Sequence, residues 1–340
     1  MKIRINRKVI RAAAAVLAVL TLSLMGALLR SLWDEGGSRR TDGPAGEPEN
    51  EGELILFEDT WYAPREDLET ILVLGLDRSE QDGISTTGDY AQSDLLLLLE
   101  LDRMAGTYKV LHLNRDTMAE IQDFDDYGRP KGSYTAQLAL AYAHAQAYTG
   151  NDKIASWAAM DAVSGLLYGV EIDHYISLTM DGVIALNDLV GGVEVEIRDD
   201  FSAVDPTLVQ GERVTLMGRH ALNYVRARWY VGDSTNLERM ERQQTYLLAL
   251  LDKVSAMAGE DSDAMMSALM EVNEHMDSDY TAEQLTELLE TMAGFRMERA
   301  SALEGEAVEV DNMVEFRVDE EALRRLVVED FYEPAEAPNE

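Results

Sequence analysis

Residues Ala12 to Leu29 form eighteen consecutive uncharged, mostly apolar positions. As a helix this run reaches roughly 27 Å, about one hydrocarbon core, so the pattern predicts a transmembrane signal-anchor helix over 12–29 behind a tail of residues 1–11. From Asp34 to Glu53 the chain reads DEGGSRRTDGPAGEPENEGE, with almost nothing to bury, which predicts a solvated stalk within a flexible acidic linker over 30–65. The pattern then changes to short, nearly continuous apolar runs, Thr70 to Leu76, Leu95 to Leu101 and Tyr108 to Leu113, as expected of strands covered on both faces. Helical spacing follows in Tyr134 to Tyr148, Ile154 to Tyr168 and Gly182 to Leu189, punctuated by Gly150, Gly169 and Gly191 with Gly192. Strands at Tyr175 to Leu178 and Val193 to Ile197 interleave with these helices. A longer helix, Asn236 to Val254, opens with Thr235 and Glu238 at capping-box spacing. Asp261 to Asp277 and Thr281 to Phe295 read as helices, Val308 to Val318 as strands, and Asp319 to Val328 ends the fold. The fold class is α/β, a central mixed sheet flanked by helices and preceded by one transmembrane helix. Its core runs over 66–257, a C-terminal extension of the same ectodomain over 258–334, and a tail over 335–340.

Charge sets the topology. Lys2, Arg4, Arg7, Lys8 and Arg11 precede the apolar run with no acidic residue among them, which holds the N-terminus in the cytoplasm and places the remainder outside. A cleaved signal peptide is the rival reading, but the run is longer than a usual h-region and no Ala-x-Ala site follows it before Arg30. Removing these five cations from a net charge of −35 leaves −40 on the rest, which excludes bulk nucleic-acid binding, since nothing neutralises the phosphates. Cysteine is absent, so neither disulfides nor thiolate metal sites contribute.

Two groups of residues carry candidate chemistry. Arg213, Arg219, Arg226, Arg228, Arg239 and Arg242 crowd into thirty residues of an otherwise acidic chain. In Tyr224 to Trp229 (YVRARW) a strand points Arg226 and Arg228 to one face, roughly 6.6 Å apart, a spacing that suits two neighbouring phosphoryl groups. Arg239, Arg242 and Gln243 share a face in the first turns of the following helix, where its dipole also favours anions. The alternative is a solvated basic face paired with Glu238 and Glu241. The second group is Asp77, Asp94 and Asp116, each at a strand end, where open α/β sheets bind ligands. Two or three such carboxylates with a phosphate hold Mg2+, or each is an ordinary turn or cap residue. Arg115 adds a guanidinium beside Asp116. The histidines show no metal-ligand spacing, Trp157 and Tyr168 read as core, and no nucleophile elbow, Walker loop or zinc-protease motif is present.

The segments ILVLGLD to Asp77, SDLLLLLEL from Ser93, LNRDTMAEI from Leu113, IDHYISLTMDGVIALNDLVGGVEVEI from Ile172, GRHALNYVRARW from Gly218 and NLERMERQQ from Asn236, in this order, resemble the LytR-CpsA-Psr family of bacterial cell-envelope proteins. The resemblance implies a phosphotransferase that moves a glycopolymer from an undecaprenyl-pyrophosphate carrier to peptidoglycan at the membrane surface, with Mg2+ (or Mn2+) as cofactor. By position, Asp77 and Asp94 hold the metal, while Arg115, Arg226, Arg228, Arg239 and Gln243 clamp the pyrophosphate, with Arg242 on the same helix face. Arg115, Arg226, Arg228 and Asp116 are the expected catalytic residues. The sequence departs from the family pattern at Gln92, Gln137 to Ala139 and Asn236. Two other readings use the same clamp: a membrane-anchored lipid-pyrophosphate binder without turnover, and a lipid-pyrophosphate hydrolase. A transcriptional role is excluded because eleven cytoplasmic residues hold no DNA-binding motif.

Overall fold

The computed structural model describes residues 54–77, 91–227, 230–232, 236–311 and 313–337. The expected tail, transmembrane helix and stalk lie outside the described residues, as do Arg228 and the Thr235 cap. Among the described residues, no helix is long and apolar enough to cross a membrane.

In chain order the elements are β1 (Ile55–Phe57), β2 (Thr60–Pro64), β3 (Leu68–Leu76), β4 (Ser93–Asp102), β5 (Thr107–Leu113), β6 (Met118–Phe124), β7 (Pro130–Gln137), α1 (Ala139–Thr149), α2 (Asp152–Leu166), β8 (His174–Thr179), α3 (Met180–Leu189), β9 (Val193–Glu196) and β10 (Arg213–Leu216). There follow α4 (Arg219–Arg226), α5 (Asn236–Glu260), α6 (Ser262–Val272), β11 (Met276–Ser278), α7 (Ala282–Ala293), β12 (Arg296–Ala302), β13 (Gly305–Val310), β14 (Met313–Val318), α8 (Glu320–Phe331) and β15 (Tyr332–Pro334).

A mixed sheet of order β11-β8-β3-β4-β5-β12 forms the centre. β4 runs antiparallel to both β3 and β5, while β8 lies parallel to β3 and β12 parallel to β5. The leucine run of β4 shows why the strands carry no polar alternation. Leu95, Leu97, Leu99 and Leu101 enter one core with α3, α5, α6 and α7, whereas Leu96 and Leu98 enter another with α1, α2 and α8. Both faces are covered, and each fully buried leucine contributes roughly 1.5–3 kcal/mol, so the apolar run is the sequence mark of a two-sided sheet.

Several expectations are corrected. Residues 55–64, expected as linker, are β1 and β2, and they pair with β15 in a three-stranded sheet. The chain from Tyr134 to Gln137 continues the β6–β7 hairpin, and the helix begins only at Ala139. β9 belongs to a two-stranded ribbon with β10 rather than to the central sheet. The helix expected to reach Asp277 ends at Val272, and the chain goes on to form the edge strand β11. Trp157 and Tyr168 are 47% and 41% exposed instead of core, packed under Lys153 and Arg324 respectively. The C-terminal extension, expected in the same ectodomain, supplies β12 to the central sheet itself.

The candidate anion site at the sheet end

The C-terminal ends of β3 and β5 and the N-terminal end of β4 meet at one end of the sheet, and Asp77, Asp94, Arg115 and Asp116 sit there. Asp94 owes its orientation to a bulge. Gly75 pairs with Leu95 and Leu76 with Ser93, so Asp94 is the extra residue on β4. A bulge re-aims the side chain it carries. Gly75 permits it, because a Cβ there would lie 2.9 Å from the Leu95 Cβ. Pairing resumes with the Asp77 N–H donating to the Gln92 carbonyl at 2.9 Å.

Guanidinium groups from three elements converge on these carboxylates. Arg115, in the turn after β5, pairs with Asp94, lies 3.4 Å from Asp116 and donates to Gln92 Oε1 at 2.5 Å. Arg239, in the first turn of α5, approaches Asp94 Oδ2 at 3.6 Å. Arg226, the last residue of α4, reaches Asp77 Oδ1 at 2.8 Å. The site is graded in depth: the side chains of Arg239, Asp94 and Arg115 are 10–16% exposed, those of Arg226 and Asp77 35% and 38%. Arg239 and Arg115 therefore form its floor and Arg226 its mouth. Gln137 fixes Asp116 from the side, donating to Asp116 Oδ1 at 3.3 Å and to the Val314 carbonyl at 2.7 Å. The Phe316 N–H donates to the Asp116 carbonyl at 2.8 Å, so β14 braces the same loop.

Of the expected strand at Tyr224–Trp229, Tyr224 to Arg226 are instead the end of the helix α4. Ala221, Tyr224 and Val225 are buried at i, i+3 and i+4, and this helical spacing overrode the alternation in YVRARW. Arg226 is thus carried by a helix C-terminus rather than a strand face, and Arg228 lies outside the described residues.

Arg242 and Gln243, expected beside Arg239 in the pyrophosphate site, are engaged with the end of α4. Arg242 donates to Asp199 at 2.8 Å, to the Tyr224 carbonyl at 3.4 Å and to the Ala227 carbonyl, and it stacks over Phe201. Gln243 donates to the Val225 carbonyl at 3.2 Å. A helix end leaves carbonyls without intrahelical partners, and these two side chains of α5 satisfy the last turn of α4 and hold Arg226 in place. Spacing alone put Arg239, Arg242 and Gln243 on one face, but α4 packs against that face and takes two of the three.

The bulge at Asp94 and the bracing by Gln137 and β14 escaped the sequence reading. Gly75 inside an apolar strand was the available signal for the bulge. The bracing strand is remote in sequence and left none. His112 is 2% exposed, with burial pushing its imidazole down to about 4, in keeping with a structural role.

The family model described as the LytR_cpsA_psr family matches residues 50–330. The chain belongs to that family. Among LytR_cpsA_psr relatives, the cell wall biosynthesis protein LcpA of Corynebacterium glutamicum is 32% identical over 228 residues, 58% of this chain and 42% of its own length. The chain therefore spans less than half of that relative. The polyisoprenyl-teichoic acid–peptidoglycan teichoic acid transferase TagU of Enterococcus faecalis is 24% identical over 322 residues, 94% of this chain and 95% of its own. In structure, TagV of Bacillus subtilis superposes with a TM-score of 0.60 at 22% identity, covering 78% of this chain and 98% of that one; this likeness concerns the fold.

Proposed function

We propose that this protein attaches a cell-wall glycopolymer to peptidoglycan, taking it from a polyprenyl-diphosphate carrier as a sugar phosphate and leaving the carrier monophosphate. The observation that carries the reading is the convergence of Arg115, Arg226 and Arg239, from three separate elements, on the carboxylates at one sheet end. The name of the enterococcal relative supports the substrate classes, a polyisoprenyl-linked polymer and peptidoglycan. In the reaction an acceptor hydroxyl oxygen bonds to the sugar-side phosphorus, the anhydride P–O bond breaks, and the polyprenyl phosphate departs. The hydroxyl proton passes to a carboxylate, which we assign to Asp116. Such a transfer needs positioning and charge neutralisation more than covalent chemistry. Planar guanidiniums suit both demands, since each offers paired donors to a phosphoryl group.

Charge balance argues for a divalent ion. Among the described residues three carboxylates, Asp77, Asp94 and Asp116, face three guanidiniums, so these formal charges cancel, and even with Arg228 added most of the charge of an incoming diphosphate remains uncompensated. Asp77 and Asp94 offer hard oxygen donors on neighbouring strands, with no His or Cys at the site, a set that fits Mg2+ or Mn2+. A bound ion there would neutralise charge on the diphosphate and its leaving group. Binding of the diphosphate would draw Arg115, Arg226 and Arg239 from their carboxylate partners onto phosphoryl oxygens, which frees Asp77 and Asp94 for the metal.

We further propose that the run 12–29 anchors the protein in the cell membrane with residues 1–11 in the cytoplasm, placing the site at the outer membrane surface where the lipid carrier is met. The test of the metal assignment is polyprenyl-phosphate release by purified full-length protein from a polyprenyl-diphosphate saccharide, with and without EDTA. Release should stop in EDTA and return with Mg2+; release that continues in EDTA contradicts the assignment.

A further inference from the structure

A cavity of about 190 Å³ opens at the same end of the sheet, on the side of β3 away from β4. Leu76, the residue before Asp77, lines it, and the pairings of Leu76 with Thr179 and of Leu178 with Met276 bring the ends of β8 and β11 to its wall. Its lining is opposite in character to the arginine cluster one strand away. Asp152, Asp181, Glu274 and Asp277 contribute carboxylates, Ser177, Thr179 and Tyr142 hydroxyls and His275 an imidazole, and no Lys or Arg is among the described lining residues.

No three acidic or imidazole groups among the described residues gather in metal-holding geometry, either here or at Asp77, Asp94 and Asp116, where a bound diphosphate would have to complete the sphere. Asp152 and Asp277 are held in fixed orientation. Asp152 Oδ1 accepts from the Tyr142 hydroxyl at 3.0 Å and the Gln146 amide at 2.6 Å, and Asp277 accepts from the Tyr175 hydroxyl at 3.0 Å. Burial pushes the Asp277 carboxyl above its usual range, with Asp152 and Asp279 adding to the effect. A pocket of fixed acceptors and hydroxyls, with an apolar floor from Leu76 and Met276, selects a compact ligand rich in hydroxyl donors and without negative charge. Preset acceptors of this kind cost little reorganisation when such donors arrive.

We infer that this cavity is the acceptor subsite, taking one neutral sugar unit of the glycan beside the phosphoryl group held by Arg115, Arg226 and Arg239. This rests on the transferase reading above. The two substrates are thereby sorted by charge. The anionic donor is repelled from the four carboxylates and drawn to the guanidiniums, while an uncharged glycan suffers no such repulsion and finds its acceptors next door.

The test is binding, read separately for each site on full-length protein in detergent micelles with 13C-methyl methionine. The probes are an N-acetylglucosamine tetrasaccharide, which carries no charge, for the cavity and inorganic pyrophosphate with Mg2+ for the arginine cluster. The tetrasaccharide should shift the Met276 methyl resonance, identified by its loss in Met276→Leu. The doubly substituted Asp181→Asn, Glu274→Gln protein should bind it about tenfold more weakly. Glu274→Trp, at an exposed position that plugs the mouth without disturbing the core, should abolish the shift. Both variants should bind pyrophosphate as the wild type does. An unmoved Met276 methyl, or tetrasaccharide affinity unchanged in both variants, overturns the assignment. Absence of pyrophosphate binding by the wild type, with the Met276 shift intact, overturns the transferase reading instead.

Discussion

Replacing Arg242 separates a structural role from a ligand-binding one. Its side chain is 6% exposed and its donors go to the Asp199 carboxylate and the carbonyls of Tyr224 and Ala227. In Arg242→Met the aliphatic packing over Phe201 is largely kept, but three acceptors lose their donor. Truncating one partner of a fully buried pair costs about 3–5 kcal/mol. The Asp199 side chain is 18% exposed and can turn to water, so its share falls well below that range, to about 1 kcal/mol. Two deprived carbonyls add about 1 kcal/mol each. The expected loss is about 3 kcal/mol, seen as a lower urea midpoint with an unchanged slope, and a melting temperature lower by about 6 °C for a domain of this size. Pyrophosphate affinity should fall no more than a few fold, through loosened positioning of Arg226. Stability within about 0.5 kcal/mol of wild type, the range of an ordinary surface substitution, together with a large loss of pyrophosphate binding, would falsify the reasoning and return Arg242 to the clamp.

Three further substitutions probe different parts of the account. Glu100 is 3% exposed on β4, near the Asp330 carboxylate that Lys109 and Arg299 hold, and burial followed by the Asp330 charge raises its carboxyl from 4.5 to about 8. A raised folded pKa means that the unfolded chain releases this proton first. Glu100 therefore lowers stability progressively from about pH 4.5 to 8, at up to about 1.4 kcal/mol per pH unit. Glu100→Gln should remove that slope from denaturation midpoints measured across this range, and an identical slope in both proteins contradicts the reading. Gly75→Ala places a Cβ 2.9 Å from that of Leu95; overpacking should cost about 1–3 kcal/mol, and turnover should fall further than thermal stability does, because the bulge aiming Asp94 shifts. Asp94→Asn should keep the melting temperature within a few degrees yet reduce Mg2+-dependent release by roughly 10²- to 10³-fold, whereas unaltered turnover removes Asp94 from the site.

The sheet was legible because its leucine-rich strands are buried on both faces, which leaves an unmistakable apolar run, and because Asp77, Asp94 and Arg115 stand at the ends of such runs. What misled was short-range pattern without tertiary context. YVRARW alternates as a strand does, yet burial of Ala221, Tyr224 and Val225 makes its first three residues the end of a helix. The three-residue spacing of Arg239 and Arg242 placed both in the anion site, but the carbonyls of α4 claim Arg242. Thr60–Pro64 read as linker because one of its two partner strands is Tyr332–Pro334, nearly the length of the domain away. The role of Gln137 depends on Val314, equally remote.

The central claim is that the guanidiniums at the sheet end grip a lipid diphosphate for transfer to a glycan. The most direct measurement follows polyprenyl-phosphate release from a polyprenyl-diphosphate saccharide, with and without peptidoglycan glycan, for wild-type and Arg115→Lys full-length protein in Mg2+. Lysine keeps the charge but loses the planar fork that spans Asp94, Asp116 and Gln92. The account predicts release that rises with glycan, phosphodiester-linked product in equal amount, and a fall of roughly 10²- to 10³-fold in the variant with a smaller change in pyrophosphate affinity. Wild-type release that is absent with glycan supplied, that yields no glycan-linked product, or that survives Arg115→Lys unchanged would contradict it.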